Sequence, residues 1–270
     1  MRNGLQLLRH SLRRYRTLLV SVCFLLAGFQ VLLALAGKSL TELNAFGAIQ
    51  NFIPDFLKQA LGESLVSVMS FGGIVSIGYF HVAVVGALVG VAIAVTTETA
   101  GEIETRFMDL VLSRPLARHW PVTRSIAVLA AATLSMLLAM RCGTWLGLRL
   151  LAPAEVRESA LRITRDLAVN LGAEVFCWGA IALAVASISR RRSTASGLAS
   201  LLALTSYLLD YIARVWSPAR WPDRISPFRY YVPLDLILGG GVPATSLVVL
   251  LGISAAALVF AYAAFSRRDL

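Results

Sequence analysis

The sequence predicts an all-α integral membrane protein with six transmembrane helices, and three observations support this class. Residues of the set AVILMFWYC occupy 57% of the 270 positions. Charged residues occupy only 15%, where about 25% is usual in soluble domains. The mean hydropathy is +0.73. So few polar residues could not cover the surface of a soluble globule of this size, so the apolar runs are expected to face lipid.

The first predicted element is an amphipathic interfacial helix over residues 1–16. Leu5, Leu8, Leu12 and Tyr15 recur at spacings of three and four, and arginines leave a basic opposite face. Such a helix suits the surface of an anionic membrane. An outer-side loop with a short interfacial helix near residues 52–61 is predicted between the first two spans.

Six apolar runs in one domain, residues 1–270, approach the roughly 20 residues that a spanning helix needs. They are predicted at about residues 17–36, 73–96, 125–148, 167–188, 197–215 and 244–265. The proposed inside segments hold 14 Lys and Arg residues and the outside segments hold 10. This bias predicts a multi-pass protein of the cell inner membrane with both termini cytoplasmic. Segment 149–166 carries charges of both signs and fits either an outer loop or an amphipathic surface helix.

Several classes of function are disfavoured by the motifs. Cys23, Cys142 and Cys177 lie in apolar runs without CxxC spacing, which argues against a disulfide framework or a zinc site. Gly37-Lys38-Ser39 resembles the end of a phosphate loop, but Leu32 stands where that motif requires glycine. HExxH and GxSxG are absent, so we predict no catalytic residue, metal or cofactor in this chain. The net charge of +10 comes from arginines that flank spans, which indicates contact with lipid headgroups rather than nucleic acid.

The most informative segment is the predicted cytoplasmic loop of residues 97–124. Its apolar residues Ile103, Phe107, Leu110 and Val111 fall at i, i+4, i+7 and i+8, and Pro115 ends the pattern. The spacing predicts a short amphipathic helix from Glu98 to Arg114, with glutamates near its start, where the helix dipole favours anions. From the residues alone, this helix could lie on the lipid surface or dock on a partner.

This loop resembles the E-x-x-x-G-T-x-E-x-L-L-S-x-P-v-x-R loop of ABC-2-type (type V) ABC transporter permeases. Two further segments are similar to that family: Ser226-Pro227-Phe228-Arg229-Tyr230-Tyr231 before the last span, and the C-terminal Phe265-Ser266-Arg267-Arg268-Asp269-Leu270. The chain departs from the pattern at residues 100–104, AGEIE, where many relatives carry Gly-Thr or Gly-Ser, and at Phe107-Met108.

The resemblance implies a permease subunit of an ABC exporter whose substrate is unidentified. It implies that the loop helix is a coupling helix that docks on a separate ATPase subunit, which binds ATP and Mg, and that a second permease copy completes the pump. The partner-binding residues that it implies are Glu98, Gly101, Glu102, Ile103, Phe107, Leu110, Val111, Arg114, Pro115 and Arg118. The alternative is an ATP-independent secondary transporter or channel, which would need ionisable residues near mid-membrane or two related halves.

Four ionisable residues within the predicted spans are further candidates, because such residues are costly in lipid. Arg141 and Glu174 are predicted at similar depth, as an ion pair between helices or as part of a translocation path. His81, near the middle of the second span, could bond a neighbouring helix or handle a substrate or proton. Asp210 could reach the outer interface or pair with Arg214, one turn further on.

Overall fold

The computed structural model describes residues 2–43, 70–107 and 119–267, with side chains from residue 8 onward, and these ranges are helical without any strand. The helices, in chain order, are α1 (Arg2–Glu42), α2 (Phe71–Phe80), α3 (Val82–Thr96), α4 (Glu98–Glu104), α5 (Trp120–Leu151), α6 (Ala154–Ile188), α7 (Arg192–Val215), α8 (Pro233–Ile237) and α9 (Ala244–Ser266). Three short 3-10 helices, Ser217–Arg220, Pro222–Ile225 and Pro227–Tyr230, connect α7 to α8.

The predicted all-α class is confirmed for the described residues, and so is the presence of six helices that could span a membrane. Six helical segments are long and apolar enough to cross a membrane: Leu8–Glu42, Phe71–Glu104, Trp120–Leu151, Ala154–Ile188, Arg192–Val215 and Ala244–Ser266. Most of them extend beyond the apolar runs, because arginine and glutamate end a hydrophobic run without ending a helix. The helix predicted near residues 52–61 lies outside the described residues.

The N-terminal segment is not a separate interfacial helix, which corrects the prediction for residues 1–16. α1 runs without a break from Arg2 to Glu42, so the basic segment and the first span form one helix. The physical reason is local, since no glycine or proline lies between Leu5 and Ala27 to interrupt the helix.

The third and fourth spans form a tight hairpin. α5 ends at Leu151 and α6 begins at Ala154, so residues 149–166 are almost entirely helical and the apolar run at 167–188 is the C-terminal part of a longer helix. Pro153 precedes the first turn of α6, where its missing N–H costs no helical hydrogen bond. α6 is the central helix of the bundle, since 67% of its apolar window is buried, against 17% for the first and last spans.

The second span is broken at His81, which separates α2 from α3 with a ψ of 126°. A break within a membrane leaves backbone groups that need new partners. The Tyr79 carbonyl accepts a hydrogen bond from the Tyr231 hydroxyl (2.8 Å), and the Ala83 N–H donates to His81 Nδ1 (3.3 Å). Side chains therefore replace the bond that a continuous helix would form between these two backbone groups.

Close packing joins α1 to α5. A Cβ added at Gly143 would collide with the Ala27 carbonyl oxygen, and one added at Gly147 would lie 2.7 Å from the Cβ of Ala34. These contacts follow the small-xxx-small pattern that lets the backbones of membrane helices approach one another.

Candidate functional site

A cluster of charged residues lies where the second span passes into α4. Arg14 Nη1 lies 2.6 Å from Glu98 Oε1, and Arg192 Nη1 lies 2.9 Å from Glu98 Oε2. The Tyr15 hydroxyl also donates to Glu98 Oε2, at 2.8 Å. One buried carboxylate thus binds α1 on one side and α7 on the other. We call the residues Arg14, Glu98, Glu102, Arg124 and Arg192 the charged junction.

The second acidic residue of the junction connects α4 to α5. Glu102 Oε2 accepts a hydrogen bond from Arg124 Nη2, and the two side chains are only 8% and 5% exposed. Beside this pair, the hydroxyls of Thr99 and Ser125 are 2.8 Å apart. Removal of water from both ions makes this pair sensitive to the loss of either partner.

Gly101 lets α7 approach α4. A Cβ at this position would lie 3.1 Å from Cδ of Arg192, so a larger residue would displace the arginine that binds Glu98. The backbone N–H of Arg192 also donates to Glu104 Oε2 at 2.9 Å. Polar contacts therefore hold α4 to α1, α5 and α7.

Three residues that the resemblance implies as partner-binding, Glu98, Glu102 and Ile103, contact other helices of this chain. Glu102 is paired with Arg124, and Ile103 packs beside Val122 and Phe265. A seven-residue helix held on three sides has little apolar surface left to offer.

The predicted continuous helix from Glu98 to Arg114 is interrupted. α4 ends at Glu104, and Thr105 and Arg106 form a turn with an Arg106 φ of 56°, a left-handed conformation. Beyond the turn, the Phe107 side chain is 39% exposed and adjoins a cavity of about 320 Å³ between α4 and the start of α1. Leu110, Val111, Arg114, Pro115 and Arg118 lie outside the described residues.

Arg141 and Glu174 do not form the predicted ion pair. Arg141 Nη1 donates to Thr164 Oγ1 (2.7 Å) and to the Leu161 carbonyl (3.2 Å), while Glu174 Oε1 accepts from Trp178 Nε1 (2.8 Å). The tight hairpin explains the error, because Arg141 and Thr164 lie equally far from its tip. Glu174 is ten residues beyond Thr164, about 15 Å further along α6.

The other two ionisable candidates occupy different environments. His81 is exposed at the helix break, with its ring edge to face with Phe29 at a centroid distance of 5.9 Å. Asp210 is 9% exposed, and Asp210 Oδ2 accepts hydrogen bonds from Nε (3.1 Å) and Nη2 (2.8 Å) of Arg214. Asp210 and Arg214 therefore form an ion pair within α7.

The Ser226–Tyr231 segment folds back into the helix bundle, a contact that sequence analysis did not predict. The Phe228 ring lies 5.4 Å from the rings of both Trp178 and Tyr207, and the Tyr231 hydroxyl binds the carbonyl at the broken span. Burial raises the pKa of Tyr231 above its usual range, and its protonated hydroxyl donates this hydrogen bond. This segment connects the second, fourth and fifth spans.

The basic members of the charged junction were not predicted from the sequence. Arg14, Arg124 and Arg192 counted toward topology, because arginines at the ends of spans are common on the cytoplasmic side. The spacing of Glu98 and Glu102 was a usable signal. Residues four apart lie on one face of a helix, and two acids on one face need cationic partners.

No protein-family model, curated protein or solved structure matches this chain. Among the residues that the structure describes, no group of three or more His, Cys, Asp or Glu side chains could hold a metal ion.

Proposed function

We propose that this chain is the membrane-spanning permease subunit of an ABC-2-type exporter, driven by a separate ATPase subunit that binds ATP and Mg. A second permease copy, identical or related, completes the assembly. The observation that carries the proposal is the charged junction beside Phe107. A short helix held to three other spans by buried polar contacts transmits any displacement to those spans.

The ion pairs give this transmission its stiffness. Glu98 contacts both α1 and α7, so a push on α4 acts on the first and fifth spans together. Glu102 adds α5 through Arg124. The half-exposed ring of Phe107, at the edge of this rigid unit, is the natural anchor for a partner, because aromatic residues dominate the energetics of protein interfaces.

The proposal is tested by truncating that anchor. The assay is co-elution of a partner ATPase with the tagged chain in detergent. We expect the Phe107→Ala chain to insert normally and to bind the ATPase about 30-fold more weakly than the wild-type chain does, which corresponds to a loss of about 2 kcal/mol. Phe24→Ala is the matched control, since Phe24 is exposed on α1, about 15 Å along that helix from Arg14 of the junction. If the Phe107→Ala eluate hydrolyses ATP as fast as the wild-type eluate, the proposal is contradicted.

The proposed orientation places both termini and the turn at residues 190–192 in the cytoplasm. In a chain lacking Cys23, Cys142 and Cys177, an impermeant maleimide applied outside cells should label Trp221→Cys and not Arg191→Cys, both positions being exposed. Labelling of residue 191 from outside the cell would show that the proposed orientation in the membrane is wrong.

One observation favours the alternative of an ATP-independent transporter. Broken spans such as the one at His81 are common around the substrate sites of secondary transporters. Transport that continues after ATP depletion but stops when ion gradients collapse would select this alternative.

A further inference from the structure

A groove runs along the bundle between α3 and α7. Two cavities of about 210 and 270 Å³ share Val82, Val85, Tyr207 and Phe228, so they are continuous. The groove extends along α7 from Ser200 to beyond Asp210, a distance of at least about 15 Å at 1.5 Å per residue, or half the roughly 30 Å thickness of a hydrocarbon core. We call it the α3–α7 groove.

Most of the groove is apolar and open. On α3, Gly86 and Gly90 face empty space, since a Cβ added at either would meet no atom within 4 Å. Val89 and Leu204 add aliphatic surface to its walls. In a membrane, a groove of this chemistry accepts an alkyl chain, because an acyl chain can lie against apolar walls without burying a polar group that lacks a hydrogen bond.

The other end of the groove is polar, because Asp210 and Arg214 lie in its wall. Arg214 is half-exposed and uses Nε and Nη2 to bind Asp210, so among the described residues Nη1 is the guanidinium nitrogen open to a ligand. The connection that follows α7 carries Arg220, Arg224 and Arg229, of which Arg229 pairs with Asp223 outside the cavity lining. Arg214 is therefore the cation that an anionic group in the groove would meet, and a planar guanidinium matches phosphate well.

The helix break adds a second favourable field at this end. α3 begins at Val82, which lines the same cavity as Asp210 and Arg214. The N-terminus of a 15-residue helix carries partial positive charge, which attracts anions. The groove therefore combines an apolar channel with a polar end, where the N-terminus of α3 attracts anions.

We propose that the α3–α7 groove binds a phospholipid, with an acyl chain beside Gly86 and Gly90 and the phosphate at Arg214. The occupant is a lipid of the surrounding membrane that enters sideways through the open wall. Together with the proposed exporter function, on which this step rests, the groove defines the cargo as a phosphate-bearing amphiphile.

Photocrosslinking of the purified full-length chain in lipid nanodiscs tests the binding. The probe is phosphatidylglycerol that carries a diazirine in one acyl chain, and crosslinked peptides are identified by mass spectrometry. We expect residues 82–93 and 200–211 to be labelled at least about tenfold more than residues 248–260 of α9, which include Val248, Val259 and Phe260, all exposed. Equal labelling of both regions would show ordinary annular lipid and overturn the proposal.

Filling the groove provides the matched comparison. Gly86→Leu and Gly90→Leu should remove the excess labelling, because the new side chains occupy the open space. Gly252→Leu on α9 is the control, since an added Cβ there also meets no atom within 4 Å. Labelling that survives in both groove variants would overturn the assigned site.

The headgroup assignment has its own test. Arg214→Gln should reduce groove labelling by phosphatidylglycerol about tenfold, as loss of one charge-assisted contact implies, and leave labelling by diacylglycerol with the same photoreactive chain unchanged. Equal labelling by the two lipids in the unmodified chain would overturn phosphate recognition. These measurements need no ATPase, so groove binding can fail while ATPase association succeeds, and the reverse.

Discussion

The buried pair of Glu102 and Arg124 provides the sharpest test of the charged junction. The perturbation is Glu102→Leu, Arg124→Leu and the double variant. Both side chains are less than one-tenth exposed, so either single change leaves a desolvated charge without its partner. Loss of one member of such a pair costs about 3–5 kcal/mol of unfolding free energy, whereas replacing both by apolar residues is often close to neutral. The single losses should therefore exceed the double loss by several kcal/mol.

The assay is unfolding by sodium dodecyl sulfate in mixed micelles, followed by circular dichroism. Glu42→Gln is the matched control, because Glu42 pairs with Lys38 at 3.6 Å on an exposed surface of α1. An exposed i, i+4 pair contributes only about 0.3–0.5 kcal/mol. If the losses at Glu102 and Arg124 add to within about 0.5 kcal/mol, the two residues do not interact and the proposed rigid unit is wrong.

Two further predictions concern the packing of the spans. Arg141→Leu and Glu174→Leu should give additive losses of stability in the same assay, because the structure gives them separate partners, whereas Arg141→Leu and Thr164→Val should couple by about 1.5–3 kcal/mol. Additive losses for Arg141 and Thr164 would contradict their hydrogen bond. Gly143→Ala should destabilise the chain by about 1–3 kcal/mol, because its Cβ would collide with the backbone at Ala27, while Gly28→Ala on α1 has open space and should stay within about 0.5 kcal/mol. Equal effects of the two changes would contradict the close approach of α1 and α5.

The six spans were predictable because each needs only a long apolar run, which is a property of the local sequence. Their ends were less predictable. In the segment from Arg149 to Asp166, charges mark the end of the apolar run, but arginine and glutamate are also good helix formers. Helix formation therefore continues where hydropathy stops, and only Pro153 interrupts it.

The break at His81 and the contacts of the junction depend on neighbours distant in the chain. Neither glycine nor proline occupies position 81, and a hydrogen bond from Tyr231 to Tyr79, 152 residues away, helps to stabilise the break. In the same way, Glu98 could be recognised as a helix-start residue from local sequence, but its arginine partners come from α1 and α7. Pairing between distant segments follows from packing, which the hydrophobic pattern alone does not specify.

The tight hairpin also changes the depth assigned to Arg141. α5 has 32 residues and so measures about 48 Å, well over the roughly 30 Å of a bilayer core. If Trp120 marks one membrane interface, as tryptophans commonly do, the hydrocarbon ends about 20 residues further on, close to Arg141. The rest of the hairpin then extends about 15 Å beyond the hydrocarbon core, through the headgroup layer, and packs against α1 where Gly147 meets Ala34. This end of the hairpin offers an epitope for antibody fragments, which would recognise the folded protein without contacting the surface that faces the hydrocarbon core.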